Sequence, residues 1–196
     1  MSDDFLPLIN RIDELTRQKS RVAVAIDGNC AAGKTSLAAL LESIFSCSII
    51  SMDDFFLRPF QRTPERLGEP GGNIDYERFL EEVANPLKSG EPLSYRRYDC
   101  QTGKLSEPVP AELRPLYVIE GVYSLHPYFD GAYDVRVFLR LDEGEQRDRL
   151  LERNAGLYKR FINEWIPMEN EYFERFRISD KCDFVFMTGS RKGETI

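Results

Sequence analysis

Arg21-Val-Ala-Val-Ala-Ile-Asp27, followed at once by Gly28-Asn-Cys-Ala-Ala-Gly33-Lys34-Thr35, is the stretch that decides the fold. The first run is short, apolar and rich in β-branched residues, the composition of a strand buried on both faces of a parallel sheet. The second fits G-x-x-x-x-G-K-[ST], which a chain of this composition would contain by chance with odds of roughly 0.3%. Lys34 to Phe45, rich in Ala and Leu, then reads as a helix. Between such a strand and such a helix, successive backbone N–H groups and the helix N-terminus can surround an anion. Glycine lets the backbone approach that anion with no side chain in between. The alternative, an ordinary glycine turn with a solvated lysine, is disfavoured by strand, loop and helix standing in order.

Working outward, Cys47-Ser-Ile-Ile-Ser-Met52 is a second apolar run that ends at Asp53-Asp54 and completes a βαβ unit. Upstream, Phe5, Leu8, Ile9, Ile12 and Leu15 recur at spacings of three and four and predict an amphipathic helix within residues 1–20. Downstream, the prolines and glycines of residues 57 to 74 predict a long surface loop. Asp75 is placed to cap a helix whose buried face holds Phe79, Val83 and Leu87, with an irregular last turn at Pro86. Residues 91 to 116 read as a small hairpin or edge excursion. Buried strands return at Tyr117-Val-Ile-Glu120-Gly121 and Val135–Leu141, then a charged helix from Glu143 to Asn154. A Tyr/Phe-rich helical segment follows around Glu164 to Arg177, and a last strand at Asp183–Met187. Five strands separated by helices predict an α/β domain spanning residues 1–196. Its expected form is a three-layer P-loop NTPase fold with a doubly wound, mostly parallel five-stranded sheet and a helical lid. Residues 57–116 form its substrate side and residues 143–161 the lid.

The chain carries 26 Lys and Arg against 33 Asp and Glu, a net charge of −7, with no long basic block. That argues against a nucleic-acid partner, which requires many phosphates to be neutralised at once. Four separated cysteines and a single histidine give neither a zinc site nor a disulfide framework. The opening MSDDFLPLIN lacks a basic region and a sustained apolar run, and no stretch reaches the roughly 20 apolar residues of a membrane span. The expectation is a soluble cytoplasmic protein without a membrane partner. Homo-oligomerisation stays open.

The candidate nucleotide cradle is Gly28, Asn29, Cys30, Ala31, Ala32, Gly33, Lys34, Thr35 and Ser36. Lys34 is expected to reach the β- and γ-phosphates of ATP, and Thr35 to ligate Mg²⁺ through its hydroxyl. In an open parallel sheet, ligands collect at the carboxyl ends of strands, so acids found there are candidates for chemistry. Asp53 is placed to accept a proton from an attacking hydroxyl, or else to cap its loop. Glu120 is placed near Mg²⁺. Asp142 stands at a helix start and reads as an N-cap. Arg149 and Arg153, four apart on one helix face, can clamp transferring phosphoryl oxygens or form a solvated face paired with Glu145 and Glu152. Cys30 reads as a small loop residue or an oxidation-sensitive thiol. His126 reads as structural or substrate-lining, and the stripe Phe161, Trp165, Tyr172, Phe173 and Phe176 as core.

The phosphate loop, Ile50-Ser-Met-Asp53-Asp54-Phe55-Phe56, Val118-Ile-Glu120-Gly121 and the order of elements together resemble the P-loop kinases related to uridine kinase and nicotinamide riboside kinase. Pantothenate kinase and phosphoribulokinase are more distant relatives of that group. The likeness runs from Val22 to about Met187. It implies ATP-dependent phosphorylation of a hydroxyl on a small molecule, a nucleoside or ribosyl compound, with Asp53 as base. It further implies Asp75 as a sugar ligand, since Asn73-Ile-Asp75-Tyr76 is similar to a uridine kinase segment. Tyr98 and Asp99 would lie beside the nucleoside, and the Arg149/Arg153 helix would be the lid. The histidine that follows the Tyr-Asp pair in uridine kinases is absent at Cys100-Gln101-Thr102. Trp165-Ile-Pro167-Met168 resembles a Trp-Pro-Met run of nicotinamide riboside kinase with one residue inserted. A nucleoside monophosphate kinase and a P-loop ATPase or switch without a small-molecule acceptor are the alternatives. No guanine-reading N-K-x-D string is present.

Overall fold

The computed structural model describes residues 3–189. Helix α1 (Leu6–Gln18) leads into strand β1 (Val22–Gly28), helix α2 (Lys34–Ile44) and strand β2 (Cys47–Ser51). A 3-10 turn at Met52–Phe55 opens the middle of the chain, which holds the short helices α3 (Pro64–Leu67), α4 (Tyr76–Phe79) and α5 (Asn85–Ser89). Strands β3 (Ser94–Tyr95), β4 (Tyr98–Asp99), β5 (Lys104–Leu105) and β6 (Val109–Pro110) follow, β3 pairing with β6 and β4 with β5, both antiparallel. Strands β7 (Leu116–Glu120) and β8 (Val135–Arg140), helices α6 (Glu143–Asn154), α7 (Tyr158–Arg160) and α8 (Ile166–Phe176), and strand β9 (Phe184–Met187) complete the order.

The main sheet runs β2-β7-β1-β8-β9, every neighbouring pair parallel. Side chains of β1 alternate between its faces. Val22, Val24 and Ile26 pack with Leu8, Ile12 and Leu15 of α1 and Leu37 and Leu41 of α2. Ala23 and Ala25 lie on the opposite face with Phe55, Phe79, Phe129, Phe138 and Tyr172. The result is a three-layer α/β architecture. The chain leaves β1 for β2 on one side and later passes from β7 across β1 to β8. The carboxyl end of β1 is therefore a switch point, where a crevice for ligands forms.

Three local expectations need correction. Residues 57–74 are not all loop: Pro59 opens a 3-10 turn and Pro64 opens α3, whose N-cap Thr63 accepts the Arg66 N–H. Proline starts helices readily, because its missing N–H would be unpaired in the first turn anyway. The irregularity attributed to Pro86 lies before it, in a wide π turn at Leu80–Ala84, while Pro86 sits in the first turn of α5. The aromatic segment is helical from Tyr158, with a second π turn at Phe161–Trp165. No helix among the described residues is long and apolar enough to cross a membrane.

Candidate active site

Strand β1 ends in Gly28, where φ is +133° and an added Cβ would lie 2.1 Å from the Leu139 carbonyl oxygen. Glycine is needed there because β8 passes so close, rather than to admit a ligand. Gly33, at φ +92° with open space around it, is the left-handed N-cap of α2. Between them the loop carbonyls are held by side-chain donors. Lys34 Nζ donates to the oxygens of Gly28 (2.7 Å) and Asn29 (2.9 Å). Gln146 Nε2 donates to Cys30 O (3.1 Å), Arg149 Nη1 to Ala31 O (3.0 Å) and Thr188 Oγ1 to Ala32 O (2.7 Å). With those carbonyls engaged and the first-turn N–H groups of α2 lacking intrahelical partners, the concave side presents donors to an anion.

Four residues meet at the mouth of this loop. Thr35 Oγ1 donates to Glu120 Oε2 and Ser51 Oγ to Glu120 Oε1, each at 3.3 Å. Glu120 is buried, and burial followed by the nearby Asp53 charge raises its carboxyl pKa, with Lys34 opposing. Asp53 sits on the Met52–Phe55 turn and donates its backbone N–H to Ser51 Oγ (3.4 Å). Its carboxyl is reachable by solvent but crowded by protein, which raises its pKa against the opposing charges of Lys34 and Arg153. Thr35, Ser51 and Glu120 offer the hard oxygen donors that suit Mg²⁺. Among the described residues no group of three or more His, Cys, Asp or Glu is arranged to hold a metal.

Two further acids contact the loop, and neither was singled out from the sequence. Asp27, fully buried, accepts from the N–H groups of Gly28 (2.7 Å), Tyr123 (3.2 Å) and Leu125 (3.0 Å) and from the Tyr172 hydroxyl (2.9 Å). Burial outweighs these bonds and pushes its pKa up to about 6. Glu169 of α8 accepts the Cys30 N–H at 3.1 Å, and burial pushes its carboxyl up to about 7. An acid closing an otherwise apolar strand was the available signal for Asp27. Glu169 had none beyond lying on a helix with buried aromatics. Burial pushes the Cys30 thiol up to about 12, which disfavours its thiolate form.

The remaining candidates divide. Arg149 touches the loop and pairs with Glu145 at 2.7 Å; Arg153 is exposed, and its charge reaches Asp53. Asp142 caps α6, accepting from the Gly144 and Glu145 N–H groups. Asp75 caps α4 and is buried against Arg78 Nε (3.3 Å) and Arg58 (3.6 Å). Tyr98 is buried in β4. The Asp99 carboxylate is taken up within its own turn by the Gln101 and Thr102 N–H groups and the Thr102 hydroxyl, which hold its pKa low. His126 caps the Pro127–Phe129 turn and stacks on Tyr76, a structural role.

Strand, glycine loop and helix at the switch point, with acids at the ends of the flanking strands, define the fold of the uridine kinase-like P-loop kinases. A possible uridine kinase from Bacillus stearothermophilus superposes with a TM-score of 0.64 at 24% identity, covering 92% of this chain and 100% of that one. In sequence, the chain is 27% identical over 179 residues to a bifunctional alpha-galactosidase/sucrose kinase of Mediterraneibacter gnavus, covering 80% of this chain and 19% of that protein. It is 31% identical over 123 residues to uridine-cytidine kinase C of Dictyostelium discoideum, covering 61% and 27%. The chain thus spans about a fifth of the first relative's length and about a quarter of the second's. No family model matches the chain.

Proposed function

We propose that the chain is an ATP-dependent kinase that transfers the γ-phosphate to a hydroxyl of a small molecule, a nucleoside or ribosyl compound. The observation that carries this reading is Asp53: an acid beside the phosphate loop, in the field of Lys34 and Arg153, and close enough to Glu120 for their charges to interact. The relatives, a sucrose kinase and a uridine-cytidine kinase, support it.

In this mechanism the loop N–H groups hold the triphosphate, and Lys34 swings from the Gly28 and Asn29 carbonyls onto it. Asp53 orients the acceptor hydroxyl and takes its proton as the oxygen bonds to the γ-phosphorus and ADP leaves. Its raised pKa favours that proton transfer. Arg149 and Arg153, on α6, offset charge on the transferring group as the lid closes and excludes water. Mg²⁺, which Thr35 and Glu120 would hold, supplies charge neutralisation on the phosphates. Asp75 and Tyr98 line the acceptor side with Asp99 at its edge, and the protein acts in the cytoplasm.

Asp53→Asn is expected to lower acceptor phosphorylation by about 10²–10⁴-fold, with ATP affinity nearly unchanged in calorimetry. Full turnover in that variant would remove Asp53 as base. ATP hydrolysis that no hydroxyl compound stimulates would instead favour a P-loop ATPase.

A further inference from the structure

The middle of the chain is rich in arginine, and nearly all of that charge is spent internally. Arg58 lies 3.6 Å from Asp75, Arg66 pairs with Glu77 at 2.6 Å, and Arg78 lies 3.3 Å from Asp75. Arg96 pairs with Glu82, and Arg97 lies 3.6 Å from Asp54. Arg62 differs. Among the described residues its side chain makes one hydrogen bond, from Nε to the Leu57 carbonyl (3.0 Å), it has no carboxylate within ion-pair distance, and it is exposed. The fork of its two terminal nitrogens is left for something outside the chain.

Its position is defined by the β4–β5 hairpin. Arg62 closes the Pro59–Gln61 turn, and the tip of the hairpin packs on that turn: a Cβ on Gly103 would lie 3.8 Å from Pro59. Cys100, in the same tip, feels Arg62 as a nearby positive charge and Asp53 as a nearby negative one. The Met52–Phe55 turn that carries Asp53 also packs on β4, so Arg62 and Asp53 lie on two segments that adjoin the same hairpin. Arg149 touches the phosphate loop, while Arg153, on the same helix, is exposed with its charge reaching Asp53. The two carboxylates best placed to bind neutral hydroxyls, Asp75 and Asp99, already accept donors from their own fold. A neutral polyol would find few free acceptors here, whereas an anion would find a free guanidinium fork.

We infer that the acceptor carries an anionic group, a carboxylate or a phosphate, which Arg62 binds while Asp53 faces the reacting hydroxyl. This rests on Asp53 marking the acceptor side of a kinase. The test uses the full chain saturated with magnesium and a non-hydrolysable ATP analogue, so that the phosphate loop is filled. Matched pairs are then titrated by calorimetry: glycerol and D-glycerate for the carboxylate arm, ribose and ribose 5-phosphate, and uridine and uridine monophosphate, for the phosphate arm. At least one anionic member is expected to bind at least about 10-fold more tightly than its neutral partner, the weight of one charge-assisted contact. Arg62→Gln should remove that preference, and Arg62→Lys should restore part of it by keeping the charge without the fork. Neutral members binding as well as their partners, no anion binding, or a preference unchanged in Arg62→Gln would each overturn the inference. Turnover with ATP separates the two readings: Arg62-dependent binding without transfer would refute the kinase and leave the anion site standing. Transfer to a neutral acceptor regardless of Arg62 would do the reverse.

Discussion

The phosphate loop and the middle of the chain, residues 57–106, are built by different means. The loop is a contiguous run whose carbonyls are held one after another and whose backbone supplies the binding groups. The middle region, apart from the continuous helical run Tyr76–Ser89, has only short elements, and buried charge pairs tie them together beside an apolar face formed by Phe79, Val83 and Leu87. Arg78 reaches Asp75, the Asp54 carbonyl and the ring of Phe55, and Glu82 binds the Arg96 backbone and side chain. The loop presents its backbone, held by side chains that reach in from elsewhere. A surface made of side-chain pairs can be altered one pair at a time.

The largest expected effect tests whether the middle region does depend on its charges. Arg78→Met leaves Asp75 and Glu82 buried without their shared cation and should cost about 3–5 kcal/mol in urea unfolding. A cost under about 1 kcal/mol would mean that packing, not charge, holds this region, and the contrast would fail.

The next effect probes the loop side through Glu169. Its folded pKa of about 7 lies above the ordinary carboxyl value of 4.5, so the folded state binds this proton more tightly than the unfolded state. Stability attached to it is present below pH 4.5 and is lost as pH rises toward 7. Glu169→Gln keeps an acceptor for the Cys30 N–H and removes that slope. Relative to the parent it should gain up to about 3 kcal/mol between pH 4 and pH 8. Identical slopes in denaturant titrations across that range would show that Glu169 does not titrate there.

The smallest concerns the start of α6. Asp142→Ala removes the cap of the Gly144 and Glu145 N–H groups and should cost about 1 kcal/mol, read by chemical unfolding. A cost of several kcal/mol would mean that the helix start is as tightly integrated as the loop it touches.

The same contrast governs what the sequence revealed. Strand β1, the loop and α2 are legible because period, composition and motif are all local, and the strand and helix bounds shift by only a residue or so. Asp142 as a cap was legible for the same reason. Asp27 was not, since its role exists only once Tyr123, Leu125 and Tyr172 arrive from nearly a hundred residues away or more. Helix α3 is not legible in the sequence because proline reads as a breaker, whereas Pro59 and Pro64 each begin a turn. Arg62 looked like its neighbours, and only the pairing of every other arginine between 57 and 106 sets it apart.

Asp27 also bears on how this protein can be recombined. One carboxylate collects donors from the first loop glycine, from the segment after β7 and, across 145 residues, from a phenol on α8. A chimera taking its amino-terminal half from one parent and its carboxyl-terminal half from another would inherit acceptor and donors that never co-evolved. Crossover points that keep these three pieces together are the ones that preserve the cradle.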